Sequence, residues 1–199
     1  MKIFLLSKRG LLVYTSLFII AFSMIFIGGG ETADVSTSPK EKRLPVYSVD
    51  RGEEKICALT FDAAWDDSDT DRLIEILDKN DAKATFFVVG TWAEKYSASV
   101  KKLSESGHEI ANHSDTHPHI NNLSEQKIAE EIKACDDKIE RITGKRPTLF
   151  RGPYGEYNNT VIETAEKAGH NVIQWDVDLP ATLGKPLYER GWRWWKRLK

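Results

Sequence analysis

The chain has 199 residues, of which 29% are charged and 41% hydrophobic, a balance that excludes a disordered or collagen-like chain. Its formal net charge is −2, but three cations and no acid precede residue 31 and five cations and no acid follow residue 189, so residues 31–189 carry −10. This acidic body argues against nucleic-acid binding, which needs clustered Lys and Arg, and two cysteines are too few for a disulfide framework or a Cys-rich zinc site.

The first 30 residues have the pattern of an export signal. Lys2, Lys8 and Arg9 precede Leu11–Gly28, a run of 18 residues without a charge, which is long enough to cross a bilayer as a helix. The positive flank is expected to stay in the cytoplasm. We therefore predict a signal peptide or an uncleaved membrane anchor at 1–30, with the anchor slightly favoured, and an exported domain, secreted or membrane-anchored, after it.

Residues 31–50 are small, polar and charged and predict a linker. Beyond it, strand and helix signals alternate. The predicted strands are short apolar runs, at 56–61, 84–89, 108–111, 148–150 and 171–177. The predicted helices have apolar residues at helical spacing; one has Ser68 as its N-cap, and the others end at Gly107, Gly144 and Gly169. This alternation predicts an α/β fold with a largely parallel sheet.

Ionisable residues follow four of the five predicted strands. They are Asp62 after the first strand, His113 and His117 after the third, Arg151 after the fourth, and Asp176 and Asp178 at the end of the fifth. Because the carboxyl ends of parallel strands meet at one edge of a sheet, these side chains are expected to share one rim. His113 and His117 could bind one metal from a single helical turn, although Pro118 beside them suits a surface loop equally well.

The order and spacing of these motifs resemble those of the polysaccharide deacetylases, the NodB-like carbohydrate esterases. Leu59–Asp62 is similar to the start of their TFDD motif, His113–His117 to their H-[ST]-x-x-H motif, and Arg151–Gly155 to their R-x-P-Y-G motif. The strand at Ala84–Gly90 and the approach to the histidines at Gly107–His113 are also typical of the family. The TFDAAW form resembles the sporulation-associated and clostridial branch.

The resemblance implies a hydrolase that removes N-acetyl groups from a cell-wall polysaccharide such as peptidoglycan or a chitin-like polymer. A divalent metal, usually zinc, would be bound by His113, His117 and one carboxylate and would activate a water. Asp62 would accept the proton of that water, the backbone N–H of Tyr154 would stabilise the oxyanion, and Arg151 would orient Asp62. The resemblance also implies substrate contacts from Pro153, Trp175 and Asp178.

The chain departs from the family pattern at three motifs. Ala63 stands where the family usually has its metal-binding aspartate, so the third ligand is expected to be Asp66 or Asp67, with a site of two histidines and waters as the alternative. After Asp178 the second aspartate and the tryptophan of the D-x-x-D-W motif are missing. No histidine follows His170, so the L-x-x-H motif, which supplies the general acid, is absent.

These departures predict a (β/α) barrel of the polysaccharide deacetylase type that is incomplete at its C-terminus. The family barrel usually has seven or eight strands, and about five β–α units are predicted here, within a truncated domain at 51–189. The strand at 171–177 would then lie at an open edge of the sheet. Residues 190–199 form a basic-aromatic tail, either a membrane- or polymer-binding segment or a non-native end. The alternative function is an impaired homologue that binds only glycan or metal.

Overall fold

A computed structural model of the chain describes residues 41–177. The predicted export segment at 1–30, the first part of the linker, Asp178 and the tail at 190–199 lie outside the described residues. Within the described part, no helix is both long enough and apolar enough to span a bilayer.

Five parallel strands form one sheet, and their order in the sheet is their order along the chain. They are β1 Leu59–Ala63, β2 Ala84–Val88, β3 Glu109–Asn112, β4 Leu149–Phe150 and β5 Asn171–Val172. Each pair of parallel neighbours needs a crossover connection, and helical segments provide it in every case. The predicted α/β fold with a parallel sheet of five strands is confirmed, and across residues 41–177 this sheet is open.

Five α-helices and two short 3₁₀ turns connect the strands. The helices are α1 Thr70–Lys79, α2 Gly90–Lys95, α3 Ser97–Glu105, α4 Glu125–Thr143 and α5 Asn159–Lys167, and the turns are Ile120–Asn122 and Pro153–Gly155. The longest of them, α4, begins where the Ser124 side chain accepts a hydrogen bond from the Lys127 backbone N–H. It ends, as predicted, at Gly144, whose φ of 72° is left-handed and therefore favours glycine.

Three local predictions were wrong. β1 begins at Leu59 rather than Ile56, because its pairing with β2 starts there and the residues before it are exposed. The helix predicted to run to Gly107 is divided into α2 and α3 at Tyr96 (φ −116°, ψ 44°). Asp69, not Ser68, is the N-cap of α1, and the Ser68 hydroxyl donates to a neighbouring carboxylate instead.

The edge strand β5 is also shorter than predicted, and its outer edge is partly covered. After β5, Ile173 forms an isolated parallel bridge with Val46, a residue of the predicted linker. The Val46 N–H donates to the Val172 carbonyl, and the Gln174 N–H donates to the Val46 carbonyl, both at 2.8 Å. The segment before β1 therefore satisfies backbone groups of an edge that was predicted to be open.

Two apolar clusters form the core, and α4 contributes to both. The first contains Phe86 and Val88 of β2, Trp92 of α2 and Leu103 of α3, and the second contains Phe150 of β4 and Val161 of α5. Within α4, Cys135 and Ile139 belong to the first cluster, whereas Ile128 and Ile132 belong to the second. One buried face between Ile128 and Ile139 therefore packs α4 against the sheet.

Candidate active site

Three of the predicted site residues meet at the carboxyl ends of the strands. Asp62 lies near the end of β1, His113 directly follows β3, and Arg151 directly follows β4. The sheet ladder continues through the last two of these residues, because the His113 N–H donates to the Val88 carbonyl and the Arg151 N–H to the Asn112 carbonyl, each at 3.0 Å. Their backbones are thus held by the sheet and not by a free loop.

Arg151 is bonded to the base candidate Asp62. Its Nη1 donates to Asp62 Oδ1 at 2.7 Å and its Nη2 to Thr60 Oγ1 at 3.0 Å. The guanidinium is almost fully buried and lies 3.9 Å above the Phe87 ring, an environment in which a charge needs a partner. Because Oδ1 is held in this way, the second oxygen of Asp62 is oriented toward the imidazole described next.

His113 is held as the tautomer that can bind a metal. Its Nδ1 lies 2.8 Å from the Arg151 carbonyl oxygen, and because a carbonyl only accepts, Nδ1 carries the proton and Nε2 keeps a lone pair. Nε2 lies 3.9 Å from Asp62 Oδ2, which is too long for a hydrogen bond. Burial lowers the pKa of His113 below its ordinary value of 6.5, so the ring is neutral near neutral pH.

His117 reaches the same place from a loop, not from the helical turn considered in the sequence analysis. Its backbone is left-handed, with a φ of 58°, and residues 113–117 form no helix. Its ring centroid lies 5.1 Å from that of His113 and 4.6 Å from that of Tyr154. Burial also lowers the pKa of His117. Two neutral imidazoles therefore lie next to one another beside Asp62, and imidazole nitrogens are ligands that suit a divalent metal.

Asp66 and Asp67 do not join the two imidazoles. The Asp66 carboxylate accepts hydrogen bonds from the Asp67 N–H at 2.8 Å and from the Ser68 hydroxyl at 2.6 Å, and the Ser68 bond is the main reason that the pKa of Asp66 is lowered. Asp67 accepts from the Ser99 hydroxyl on α3 at 2.6 Å. Within residues 41–177 no three His, Cys, Asp or Glu side chains are grouped as a metal site. The third-ligand role expected of these aspartates has no support in their geometry.

Exposed aromatic rings surround His117. Tyr154 has a left-handed backbone, with a φ of 58°, and the residue is 57% exposed. His119 stacks on the Tyr154 ring with a centroid distance of 4.4 Å. Trp65 is 81% exposed, with its ring 6.0 Å from that of His117. The sequence analysis did not select Trp65, although it stands three residues after Asp62.

The resemblance implied substrate contacts from Pro153, Trp175 and Asp178, and the structure describes the first two. Pro153 is buried, so its ring is not available at the surface. The Arg151 Cζ atom lies 5.4 Å from the centroid of the Trp175 ring. A Cβ added at Gly155 would lie 2.8 Å from an atom of the same ring. Trp175 therefore packs between the arginine and the 153–155 turn, whereas the third implied contact, Asp178, lies outside the described residues.

The sequence analysis also missed the buried residues that support the histidines. Asn112 donates to Asp136 Oδ1 at 2.7 Å, and its own Oδ1 accepts the Ser114 N–H at 2.8 Å. Asp136 is fully buried on α4 and also bonds His170 Nε2 at 2.9 Å. Nothing in the local sequence pairs these residues, whereas Thr60 could have been found because alternate residues of a strand share a face with Asp62.

The chain is similar to known proteins. Residues 50–173 match the model of the family described as polysaccharide deacetylase. PdaC of Bacillus subtilis, a peptidoglycan-N-acetylmuramic acid deacetylase, is 36% identical over 73% of this chain and 29% of its own length. PgdA of Listeria monocytogenes, a peptidoglycan-N-acetylglucosamine deacetylase, is 35% identical over 73% of this chain and 32% of its own length.

A solved structure of a CE4 family pseudoenzyme from Bacillus anthracis matches with a TM-score of 0.62 and 32% identity, over 63% of this chain and 45% of that chain. The chain spans about half or less of the length of the curated relatives that it matches. The family match extends over well more than half of the chain, and it includes Asp62, His113 and Arg151 at the strand ends. This chain belongs to the polysaccharide deacetylase family.

Proposed function

We propose that the described domain is a metal-dependent hydrolase that removes N-acetyl groups from a cell-wall polysaccharide, either peptidoglycan or a chitin-like polymer. The observation that carries the proposal is the contact of Asp62 with Arg151 directly beside His113, whose Nε2 keeps a free lone pair. The relatives PdaC and PgdA are both named for deacetylation of peptidoglycan, which supports the same class of substrate.

The donor set of the site fits a divalent metal, and zinc suits its imidazole ligands best. His113 and His117 would hold the metal, and the Arg151 carbonyl keeps His113 in the tautomer that this requires. When bound, such a metal polarises the acetamide carbonyl and lowers the pKa of a water. Ala63 supplies no ligand, so this metal would have fewer protein donors than the family pattern provides.

The described residues can carry out the proton transfers of amide hydrolysis. Asp62 Oδ2 accepts a proton from the water that attacks the acetamide carbon, while Arg151 holds Oδ1. The Tyr154 N–H donates to the carbonyl oxygen as negative charge develops on it. When the C–N bond breaks, the leaving nitrogen takes a proton, which Asp62 can return. The products are acetate and a free amine on the sugar.

Acetate release tests this proposal. The purified protein is incubated with N-acetylated peptidoglycan and with chitin oligomers, before and after treatment with a chelator and then after addition of zinc. We expect acetate release that stops on chelation and returns with zinc. Retention of glycan without any acetate release would instead support the alternative, a homologue that only binds.

We also propose that the domain acts outside the cytoplasm, with the segment at 1–30 as a signal peptide or membrane anchor. Its three cations and its uncharged run support this proposal, as does a polymer substrate that lies in the cell wall. Fractionation of the host cells tests it. The protein is expected in the membrane or the medium, and recovery from the cytoplasm alone would contradict the proposal.

A further inference from the structure

The loop between the two histidines has an unusual backbone. Ser114 has a φ of 64° and His117 a φ of 58°, a left-handed conformation that residues other than glycine rarely adopt. Such a conformation persists only where neighbouring contacts impose it. The direction of the His117 ring therefore depends on whatever holds residues 114–117.

The first half of the loop is held by the start of α2 and by α4. The Gly90 N–H donates to the Ser114 carbonyl at 3.0 Å, and the Thr91 N–H donates to the Asp115 carbonyl at 2.9 Å. The Asp115 carboxylate forms an ion pair with Lys138 of α4 at 2.9 Å. A Cβ added at Gly90 would lie 2.1 Å from Asp115 Oδ1, so the loop is in close contact with this glycine.

Two side chains hold the second half of the loop: the Ser114 hydroxyl accepts the His117 N–H at 3.1 Å, and Glu131 of α4 holds the two residues before His117. Glu131 Oε2 accepts the backbone N–H groups of Asp115 at 2.9 Å and Thr116 at 2.8 Å. Its Oε1 accepts the Thr116 hydroxyl at 2.8 Å. Both oxygens of a half-buried carboxylate are thus bonded to the two residues that directly precede His117. Hydrogen bonds to an ionised acceptor are stronger than neutral ones.

We propose that Glu131 is the positioning residue of His117. Its carboxylate fixes residues 115–116 in the conformation that directs the His117 ring toward His113 and Tyr154. Without it, two loop amides lose their acceptor, and the bond from the His117 N–H to the Ser114 hydroxyl is left as the one side-chain contact at this end of the loop; we expect that it does not hold the left-handed φ of His117 alone. The inference rests on the proposed function only where it treats His117 as a metal ligand.

Three variants of the full chain separate positioning from general stability. Glu131→Ala removes all three hydrogen bonds. Glu131→Gln keeps an oxygen for the two amides and an N–H that can donate to the Thr116 hydroxyl. Glu130→Ala is the matched control, because Glu130 is the neighbouring acid of the same helix but is exposed and bonded to Gln126 and Lys127.

The position of the ring is measured directly, by the nuclear Overhauser effect between the rings of His117 and Tyr154 in metal-free protein. We expect this contact in the wild type, in Glu131→Gln and in Glu130→Ala, and its loss in Glu131→Ala. A zinc titration of the same proteins should show an affinity lower by about tenfold or more in Glu131→Ala alone. Rescue by the conservative Gln variant separates positioning from a loss of fold.

An unchanged ring contact in folded Glu131→Ala would overturn the proposal. If that variant does not fold, Glu131→Asp decides, because a side chain shorter by one methylene keeps the charge but cannot reach both loop amides and the Thr116 hydroxyl as Glu131 does; a weakened ring contact supports the proposal, and an unchanged contact overturns it. If the wild type binds no zinc, the proposed metal role of His117 fails, and the ring contact still decides whether Glu131 positions it.

Discussion

Arg151 is the residue that connects the parts of the site. Its guanidinium bonds Asp62 and Thr60 of β1, while its own carbonyl accepts the Nδ1 proton of His113. Stacking on Phe87 fixes the plane of the guanidinium. One buried residue therefore orients the base candidate and selects the tautomer of a metal-ligand candidate. A lysine could not replace the planar guanidinium that donates to both Asp62 and Thr60.

His108, away from the site, makes a pH dependence of stability testable. It is buried against Phe86, neither ring nitrogen has a hydrogen-bond partner among the described residues, and burial and then Lys83 lower the pKa of His108 below 6.5. His108 is therefore protonated at a higher pH in the unfolded chain than in the folded one. The free energy of unfolding keeps its full value above pH 6.5 and falls as the pH drops from 6.5 toward the folded pKa.

We expect His108→Phe to reduce this loss of stability. The variant keeps the packing on Phe86 and removes the titrating group. Thermal melts of wild type and variant between about pH 7.5 and pH 5 measure the effect, in a window where carboxylates remain largely ionised. The melting temperature of the wild type should fall more steeply with acidification, and parallel curves would refute the assignment.

Trp65 gives a prediction about substrate binding. This residue is 81% exposed next to His117, in a place where a sugar ring of the proposed polymer substrate can stack on its indole. We expect Trp65→Ala to raise KM for chitin oligomers with little change in kcat, because no proton transfer involves this residue. A fall in kcat at constant KM would show that Trp65 acts in another way.

The sequence predicted where the site residues lie, but it did not predict the buried or half-buried residues that hold them in place. Asp62, His113 and Arg151 are adjacent to strand ends, so a correct sheet direction was enough to bring them together. Glu131 and Asn112 depend on where α4 lies against the sheet, which no local pattern indicates. The expectation for Asp66 and Asp67 had no support because their nearest hydrogen-bond donors are their own chain neighbours and α3.

At the scale of elements, the 152–156 turn carries Tyr154 and leaves no room at Gly152. A Cβ there would lie 2.2 Å from the Glu156 carbonyl oxygen, although the φ of Gly152 is an ordinary −68°. The cost of Gly152→Ala is therefore steric, about 1–3 kcal/mol, and it displaces Tyr154. We expect lower stability together with lost acetate release.

Gly144→Ala is the control for this prediction. Gly144 is left-handed, with a φ of 72° and nothing within 4 Å of an added Cβ. The substitution should cost about 1–2 kcal/mol without any effect on acetate release. Thermal melts and acetate assays on both variants test the contrast, and equal activity in Gly152→Ala and wild type would contradict it.

Helix α4 was predicted well, whereas the α2–α3 break was not. The apolar residues of α4 keep helical spacing up to Gly144, and burial of that face is enough to fix the helix. Trp92, Tyr96, Val100 and Leu103 keep the same spacing across the break at Tyr96, so periodicity alone could not reveal it. The strand bounds differ because pairing, not composition, decides where a strand starts.

At the scale of the whole molecule, the segment before β1 stabilises one edge of the sheet. Val46 bridges to Ile173, and in the same segment the Arg43 guanidinium pairs with Glu166 of α5 at 2.7 Å. The Tyr47 and Tyr157 hydroxyls are 3.0 Å apart. These contacts span more than a hundred residues of sequence, so the pattern of a polar linker could not predict them.

We expect Val46→Pro to weaken that edge. Proline has no N–H to donate to the Val172 carbonyl, a loss of about 0.5–1.5 kcal/mol, and the uncovered strand edge promotes association. Val49→Pro is the control, since Val49 is exposed in the following loop. Melting temperature and light scattering measure the outcome, and equal behaviour of the two variants would contradict a role for Val46.

The central claim is that Asp62 is the base of a deacetylase site, and one comparison tests it most directly. Acetate release from N-acetylated peptidoglycan is measured for wild type, Asp62→Asn and Asp66→Asn, the last being a nearby carboxylate with only local hydrogen bonds. An amide cannot accept the proton of the water, so Asp62→Asn should lose about 10²–10⁴-fold in rate, while Asp66→Asn keeps the wild-type rate. Equal rates for wild type and Asp62→Asn would contradict the account.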